Sequence, residues 1–211
     1  MTKKKMNEDR IIKLDSPEEL PDISLPELLK RRRSHRDFTG SPLTQDELSI
    51  MLWAAFGYRE RRGAGRTVPS AGAIYPVELH AILGRGCVEG LSAGVYSYLP
   101  QVHSIQSVKE GDLRDQLVKA SLSQEFIGEA PVVIAISADL GKTTIYYGQR
   151  GIRYVHMDIG HIGQNIYLMA EALGLGTVAV GAFDDERVGS LIGLPKGIFP
   201  FYLMPVGRVR K

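Results

Sequence analysis

The sequence predicts an α+β fold in which helices flank one mixed, mainly antiparallel sheet. Residues 77–83 alternate between apolar and polar side chains, as a strand does. Residues 131–137 form a continuous apolar run, which is typical of a strand covered on both faces. Between residues 154 and 173 apolar side chains recur at helical spacing, and this long helix is expected to pack centrally against the sheet.

The chain is expected to divide into an N-terminal arm, residues 1–23, and one domain, residues 24–211. Charges and prolines are scattered through the first two dozen residues, and they favour an extended arm over a packed element. Ser24 is expected to cap the first helix, with Glu27 in its first turn. The apolar stripe of this helix consists of Leu25, Leu28 and Leu29.

A second helix is predicted to begin at Thr44. Thr44 and Glu47 have the spacing of a capping box, in which each side chain bonds the backbone amide of the other residue. Helical spacing behind the box is kept by four apolar residues, Leu48, Met51, Leu52 and Ala55. The Arg- and Gly-rich segment 58–68 predicts a flexible, charged loop of a kind that often borders a site.

Further elements are predicted along the rest of the chain. Residues 94–98 and 103–108 are interpreted as a hairpin that joins the strand at 77–83, which gives three antiparallel strands. A helix is expected over residues 112–120. The C-terminal part is expected to contain a strand at 176–181, a helix capped by Asp184 that runs through Leu191, and a final strand at 199–206.

The long helix at 154–173 also carries polar side chains, which a buried helix must pair with partners. They are His156, Asp158, His161, Gln164 and Asn165. Because apolar residues fill one side, we expect another surface to pack on the other side, and we predict that this helix contributes to a homodimer interface. His156 and His161 are five residues apart, which aligns them poorly on one helix face, so no metal site is predicted.

Composition disfavours several classes of protein. Cys87 is the only cysteine, which excludes an intrachain disulfide and indicates a reducing compartment, so a cytoplasmic location is expected. No apolar stretch of about 18 residues is present, so no membrane partner is expected. The net charge is only +2 and the basic clusters match no recognised motif, so no nucleic-acid partner is predicted. Neither a P-loop nor a dinucleotide-binding glycine fingerprint occurs.

Two short segments have the composition of a site for a planar cofactor that carries a phosphate. The arginine segment, residues 32–36, supplies guanidinium groups, which bind phosphate oxygens through paired hydrogen bonds. The small-residue loop, residues 69–76, contains glycine and alanines that let backbone amides approach a flat ring closely. Taken singly, the first segment could be a solvated helix end and the second an ordinary turn. Together they favour a nucleotide cofactor.

These segments belong to an ordered set of motifs that resembles the flavin-dependent nitroreductase family, and within it the short members similar to SagB-type dehydrogenases. The motifs are RRSHRDF (32–38), PSAGAIYPVELH (69–80), YVHMDIGHIGQNIYLMAEALGLGT (154–177), VGAFDDE (180–186) and PVGR (205–208). Each motif is weak alone, whereas their common order over most of the chain after Ser24 is specific. The resemblance implies a mixed sheet wrapped by helices, and an intertwined homodimer with FMN in each of two interface sites.

The resemblance also implies which residues bind FMN. They are Arg32, Arg33, Ser34, His35, Arg36, Pro69, Ser70, Ala71, Gly72, Ala179, Val180, Gly181 and Arg208. The arginine segment would hold the phosphate and the ribityl chain, with Arg36 beside the N1/O2 edge of the flavin, where a cation stabilises the reduced form. The small-residue loop would come from the neighbouring subunit. Residues 179–181 would back the ring, with the Gly181 amide as a donor to N5, and Arg208 would contact the phosphate.

The function implied by the resemblance is that of an FMN-dependent oxidoreductase, which moves two electrons by hydride transfer through flavin N5 in a ping-pong cycle. The hydride comes either from NAD(P)H, a possible electron donor, or from a carbon of the substrate, and nitroaromatics, quinones and peptide heterocycles are the expected substrate classes. Such chemistry requires no protein nucleophile, so no catalytic side chain is assigned, with Ser70 and Tyr75 as candidate proton donors. Two alternatives remain: a flavin storage or sensor protein without turnover, and a basic module that binds nucleic acid through residues 31–36 and 59–66.

Overall fold

A computed structural model describes residues 11–17, 19–59 and 65–210. Its strands are β1 (Ile11–Lys13), β2 (Val77–Leu83), β3 (Gly94–Leu99), β4 (Ser104–Glu110), β5 (Val132–Asp139), β6 (Gly176–Thr177) and β7 (Ile198–Gly207). They form one seven-stranded sheet in the order β1-β4-β3-β2-β5-β7-β6. Every strand pair in these ranges is antiparallel, and the parallel contact is an isolated bridge between Leu43 and Val88. The predicted α+β class with a mainly antiparallel sheet is confirmed.

Helices cover both faces of the sheet. In the described ranges they are α1 (Leu25–Arg31), α2 (Gln45–Phe56), α3 (Arg114–Ala120), α4 (Phe126–Glu129), α5 (Leu140–Tyr147), α6 (Arg150–Ala172) and α7 (Asp185–Ile192). The helices α2 and α6 complete the core on one face, and α3, α4 and α7 complete it on the other. In β5, Ile134 faces the first core and Val133 the second, so the strand is covered on both faces as predicted. None of these helices is long and apolar enough to cross a membrane.

Caps define where the first two helices begin. At α2 the Thr44 hydroxyl accepts from the Glu47 amide at 3.1 Å, and the Glu47 carboxylate accepts from the Thr44 amide at 3.0 Å. This confirms the predicted capping box. At α1 the Ser24 hydroxyl accepts from the amide three residues further on, at 3.4 Å. The apolar stripe of α1 is not buried, since Leu25 and Leu29 are 57% and 55% exposed.

The N-terminal segment is packed over part of its length, which differs from the arm expected for residues 1–23. Ile11–Lys13 pairs with β4, and Leu14 is buried in the core. Two adjacent β-branched residues suit an edge strand, and the prolines that indicate an extended arm all follow them in the sequence. The remainder of the predicted arm at residues 1–10 and 18, and residues 60–64 of the predicted charged loop, lie outside the described residues.

Three elements differ from the sequence-based expectation. The helix α4 has only four residues, which is too short to produce a periodic pattern. The helix α5 is rich in threonine and tyrosine, which are weak helix formers, although Asp139 caps it by accepting from the Gly141 amide at 2.8 Å. The strand expected at 176–181 is only Gly176–Thr177, because the chain leaves the ladder there and returns for a single bridge between Val180 and Leu203.

Candidate functional site

The arginine segment runs beside the edge of the sheet formed by β6 and β7. The His35 amide donates to the Thr177 carbonyl at 2.9 Å, and the Thr39 amide donates to the Arg208 carbonyl at 2.9 Å. Gly176 permits this approach, since a Cβ placed there would lie 2.9 Å from the His35 Cβ and 2.3 Å from a methyl group of Val209. The segment that follows α1 is therefore fixed against the C-terminal strand by backbone contacts.

Tyr167 of α6 joins two of the predicted cofactor-binding segments. The Ala179 amide donates to the Tyr167 hydroxyl oxygen at 2.8 Å, and that hydroxyl is hydrogen bonded to the Ser34 hydroxyl at 2.9 Å. The Arg32 guanidinium lies 5.1 Å from the centre of the same ring. No local sequence pattern indicates this role for Tyr167, because a tyrosine among apolar residues at helical spacing is typical of ordinary packing.

The arginines in this region have different partners. Arg33 is exposed and has no carboxylate within ion-pair distance among the described residues. Arg36 lies 5.8 Å above the ring of Phe126, on the face of the sheet opposite to Tyr167. Arg208 donates to the Glu47 carboxylate at 2.8 Å. Arg33 is therefore an exposed cation without a carboxylate partner among the described residues, whereas the charge of Arg208 is partly balanced by Glu47.

His35 is the titratable side chain between these groups. Burial lowers the pKa of His35, and the neighbouring guanidinium groups of Arg33 and Arg32 lower it further, although Glu171 of α6 opposes them. The imidazole is therefore held in its neutral form more strongly than a free histidine. A neutral ring can donate or accept one hydrogen bond without adding to the positive charge of the segment.

Residues 179–181 lie next to the arginine segment at the β6–β7 edge. Val180 exchanges both backbone hydrogen bonds with Leu203 at 2.9 Å, and it is buried in the second core. Gly181 is exposed, and its amide donates to no other described residue. A Cβ at Gly181 would make only ordinary contact, 3.6 Å from the Tyr202 ring, so the chain itself does not exclude a side chain there. The space above this amide is open to a ligand.

A cavity of about 360 Å³ adjoins Gly181. Its walls are mainly aromatic and apolar, and they comprise Leu140, Phe183, Phe199, Pro200 and Phe201, with Asp185 at the side. Binding cavities for small molecules typically begin at about 300 Å³ and are lined by apolar and aromatic side chains with few polar groups. This cavity therefore has the size and lining for a small flat molecule next to the Gly181 amide.

The small-residue loop has an unusual backbone. Ala71–Ala73 forms a 3₁₀ turn, in which φ is +59° at Gly72 and +53° at Ala73, and φ is +51° at Tyr75. Gly72 cannot be replaced easily, since a Cβ there would also lie 2.6 Å from the Tyr147 hydroxyl. Left-handed backbone at two residues other than glycine is strained and persists where the surroundings impose it.

Two polar side chains of α6, Asp158 and Asn165, hold the loop in this shape. The Ser70 hydroxyl donates to the Asp158 carboxylate at 2.5 Å and accepts from the Tyr75 amide at 3.0 Å. Asn165 donates to the Thr67 carbonyl at 3.2 Å and to the Ala54 carbonyl at 2.9 Å, which ties the start of the loop to α2. These bonds satisfy two of the polar residues noted on the long helix.

Arg66 supports the loop from the other side. Its guanidinium carbon lies 4.2, 4.5 and 4.8 Å from the ring centres of Phe56, Tyr58 and Tyr75. One of its nitrogens donates to the Phe56 carbonyl at 3.0 Å. Burial lowers the pKa of Arg66, and the cation is stabilised by the faces of the surrounding rings. Arg66 thus anchors Tyr75, the residue that ends the strained turn.

The predicted site residues fall into two groups within one chain. The arginine segment, residues 179–181 and Arg208 lie together at the β6–β7 edge. The small-residue loop contacts α6 at Asp158, nine positions before Tyr167, which corresponds to a rise of about 14 Å along the helix. His156 and His161 are exposed, and the described residues contain no cluster of three or more metal-ligating side chains.

Comparison with known proteins identifies the class to which this arrangement belongs. The sequence profile of the nitroreductase family matches residues 29–208. The chain therefore belongs to the nitroreductase family of oxidoreductases, and the resemblance stated from its motifs is confirmed.

Individual relatives support the same conclusion. A Methanocaldococcus jannaschii protein named as a nitroreductase is 47% identical over 193 residues, which cover 90% of this chain and 95% of that protein. The microcin B17-processing protein McbC of Escherichia coli is 28% identical over 149 residues, and the match covers 68% of this chain but only 54% of McbC. A crystal structure named as a Ralstonia eutropha nitroreductase superposes with a TM-score of 0.84 at 27% identity, covering 96% of this chain and 90% of that one.

Proposed function

We propose that this chain is an FMN-dependent oxidoreductase whose cofactor binds at the β6–β7 edge. The observation that carries the proposal is the role of Tyr167, which joins Ser34 of the arginine segment to Ala179 of the strand end through one hydroxyl group. Two segments far apart in the sequence are thereby held in a fixed relation. They are the segments that the family resemblance assigns to the phosphate and to the ring.

The residues present fit the group. A dianionic phosphate needs cations that can be reached, and Arg33 is exposed while Arg208 is partly exposed with unused N–H groups. A flavin ring needs an open surface with a free amide, and Gly181 provides both. When bound, FMN supplies the two-electron chemistry, since it accepts and returns a hydride at N5.

The roles of the side chains are those that the family resemblance implies. Arg33 and Arg208 would bind the phosphate, Ser34 would bond the ribityl chain, and Arg36, which lies over Phe126 in this chain, would supply positive charge. The Gly181 amide donates a hydrogen bond to the ring. The reaction requires a flat electron acceptor or donor next to the ring, and the adjoining cavity with its phenylalanine walls has room for one. Nitroaromatics, quinones and peptide heterocycles meet this requirement, and the name of McbC, a peptide-processing relative, adds weight to the last class.

We further propose that the functional unit is a homodimer in which the small-residue loop of one chain lies against the cofactor of the other. Within one chain this loop and the arginine segment contact α6 at separate positions. The side of α6 away from the core is exposed at Arg153, Met157, Gly160, His161 and Gln164. Together with the uncovered leucines of α1, it offers an apolar and polar surface to a second copy.

The decisive experiment is an absorbance spectrum of the purified full chain, followed by release and identification of its flavin. We expect bound FMN, which bleaches anaerobically with NADH or NADPH and recovers when a quinone is added. Bound FMN that neither donor reduces would favour the storage or sensor alternative. A colourless protein that does not take up added FMN would contradict the proposal.

A further inference from the structure

A buried acidic side chain lies where α6 meets the small-residue loop. Asp158 is only 6% exposed, and its neighbours Val155, Ile159 and Ile162 on the same helix are core residues. A carboxylate is costly to bury unless hydrogen bonds compensate for the lost water. Here the compensation comes from the loop, through the Ser70 hydroxyl at 2.5 Å and the Ala71 backbone.

The hydrogen bonds of Ser70 allow two arrangements. A serine hydroxyl has one hydrogen to donate and two lone pairs that accept. The Tyr75 amide fills one lone pair at 3.0 Å. With Asp158 ionised, the Ser70 hydrogen is directed at the carboxylate. With Asp158 protonated, the carboxyl hydrogen fills the second lone pair of Ser70, and the hydrogen of Ser70 is free to point out of the loop.

Burial moves Asp158 toward its protonated form relative to a free aspartate. Burial raises the pKa of Asp158 and is the largest influence on it, while the bonds from Ser70 and Ala71 and the nearby His161 oppose the increase. Tyr147 of α5, whose hydroxyl lies beside Gly72, is the titratable group facing this turn from the neighbouring helix. Ser70 itself is only partly buried, so a molecule resting on the loop can reach its hydroxyl.

We propose that Ser70 and Asp158 form a proton-donating pair that acts on an oxygen of the substrate. Ser70 is the catalytic residue of the pair because it touches the substrate, and Asp158 is a positioning residue that acts through it. The inference rests on the proposed function, since it requires the loop to lie over the flavin of a second copy. It deepens that function by selecting acceptors that need a proton on oxygen together with a hydride, such as quinones.

The step is balanced for a quinone. When bound, FMN would supply the hydride that brings two electrons to the quinone, with NAD(P)H as their source. The O–H bond of Ser70 breaks as its proton joins the quinone oxygen, and the O–H bond of Asp158 breaks as its proton moves to Ser70. The product is the hydroquinone, Ser70 is restored, and the Asp158 carboxylate recovers a proton from water.

The test separates the two half-reactions of the FMN-loaded protein by anaerobic stopped flow. NADPH is used to reduce it and 1,4-benzoquinone to reoxidise it. For Asp158→Asn and for Ser70→Ala we expect reoxidation to slow by about 10²-fold, the lower end of what a positioned general acid contributes. Ser70→Thr, which keeps the hydroxyl, should recover rate relative to Ser70→Ala. The double variant should be no slower than Ser70→Ala, since both residues act in one step.

A second measurement does not depend on activity. In the protein without flavin, infrared spectroscopy should show the carbonyl band of a protonated carboxyl group that is absent from Asp158→Asn. Because folding raises the pKa of Asp158, its contribution to stability is full below the unfolded value and is lost as pH rises through the folded value. The folding stability of Asp158→Asn should not show this decrease with rising pH. Asp184→Asn, which makes the same atomic change at the α7 cap, should retain both signals.

The outcomes distinguish this inference from the proposed function. If Asp158→Asn and Ser70→Ala bind FMN, are reduced by NADPH and reoxidise at the wild-type rate, the pair is not the proton donor, while the proposed function stands. If wild-type protein takes up no FMN, both proposals are overturned. Where Asp158→Asn does not fold, equal reoxidation rates for Ser70→Ala and Ser70→Thr would contradict the inference.

Discussion

At the scale of single residues, Glu47 connects a helix cap to the candidate phosphate site. One carboxylate oxygen accepts from the Thr44 amide at 3.0 Å, and the other accepts from Arg208 at 2.8 Å. The charge of Arg208 is therefore partly balanced by the protein before any anion arrives, whereas Arg33 has no such partner among the described residues. We expect Arg33 to contribute more than Arg208 to the binding of a phosphate.

Replacing both guanidinium groups, in Arg33→Ala with Arg208→Ala, should release the cofactor before it unfolds the chain. Each charge-assisted contact contributes about 1.5–3 kcal/mol, so FMN affinity should fall by about two to four decades. Neither side chain belongs to a core, so the far-UV circular dichroism of the cofactor-free chain should be unchanged. The FMN dissociation constant and the flavin content of the purified protein measure the effect.

The control for this pair is Lys109→Ala with Lys119→Ala, which removes the same charge away from the β6–β7 edge. Its FMN affinity should match that of the wild type. Stoichiometric FMN at wild-type affinity in the arginine variant would show that the phosphate is held elsewhere.

The Tyr167 hydroxyl offers a second test at this scale. Tyr167→Phe keeps the ring beneath Arg32 and removes only the group shared by Ser34 and Ala179. Leaving the Ala179 amide without its acceptor should cost about 1–3 kcal/mol of folding stability. FMN binding should also weaken, since the two segments lose their fixed relation. Fluorescence titration of FMN and urea denaturation measure the two effects.

Tyr96→Phe is the matched change, because the Tyr96 hydroxyl donates to the Ser92 carbonyl and to no other described residue, and β3 is far from the site in the sheet order. It should lower stability without changing FMN affinity. If both tyrosine variants lose the same FMN affinity, the Tyr167 hydroxyl does not position the two cofactor-binding segments.

At the scale of elements, two caps of the same chemical type are expected to differ in their contribution. The Thr44 hydroxyl is part of a reciprocal box at the start of α2, a helix with many buried residues. The Ser24 hydroxyl makes one long, exposed bond at 3.4 Å at the start of α1, which buries none of its residues in this chain. The two hydroxyl caps have the same chemistry, but α2 is packed into the core and α1 is not.

Thr44→Ala should therefore destabilise the protein by about 1 kcal/mol, the usual cost of losing a cap. Ser24→Ala should have a smaller effect, because fraying of α1 exposes little buried surface. Urea midpoints at constant m-value measure both changes. A larger loss for Ser24→Ala would mean that α1 is buried in solution, as it would be in an assembly.

The sequence predicts those elements whose pattern is local. The alternation at residues 77–83, the apolar run of β5 and the box at Thr44 each depend on neighbouring residues, and the two strands and the cap that they predict are present. The polar residue His80 is nevertheless buried, so β2 is covered on both faces. It does not predict β1, whose three residues become a strand only through pairing with β4. Nor does it predict the role of Tyr167, since the two groups that share its hydroxyl come from distant parts of the chain.

At the scale of the whole molecule, the exposed side of the long helix α6 is the surface available for contact with a second copy. Met157 of α6 is 51% exposed, on the side of the helix opposite to the core. If that side meets a second copy, Met157→Arg places unpaired charges in an interface, where like charges repel and lose water. We expect light scattering to show a monomer at concentrations where the wild type is a dimer, together with reduced FMN binding.

Leu122→Arg is the matched control, since Leu122 is an exposed apolar residue in the loop between α3 and α4 on the other face of the sheet. This variant should remain a dimer. A dimeric Met157→Arg variant would place the interface elsewhere.

The two ends of the sheet have a consequence for how copies of this chain can associate. An open edge strand presents unpaired backbone groups on which another chain can add a strand, and this leads to aggregation. Here β1 has only three residues, and β6 has two residues whose free edge is already bonded by the His35 amide. A short edge at one end and a bonded edge at the other limit growth of the described sheet by strand addition, and they favour association of two copies through their helices.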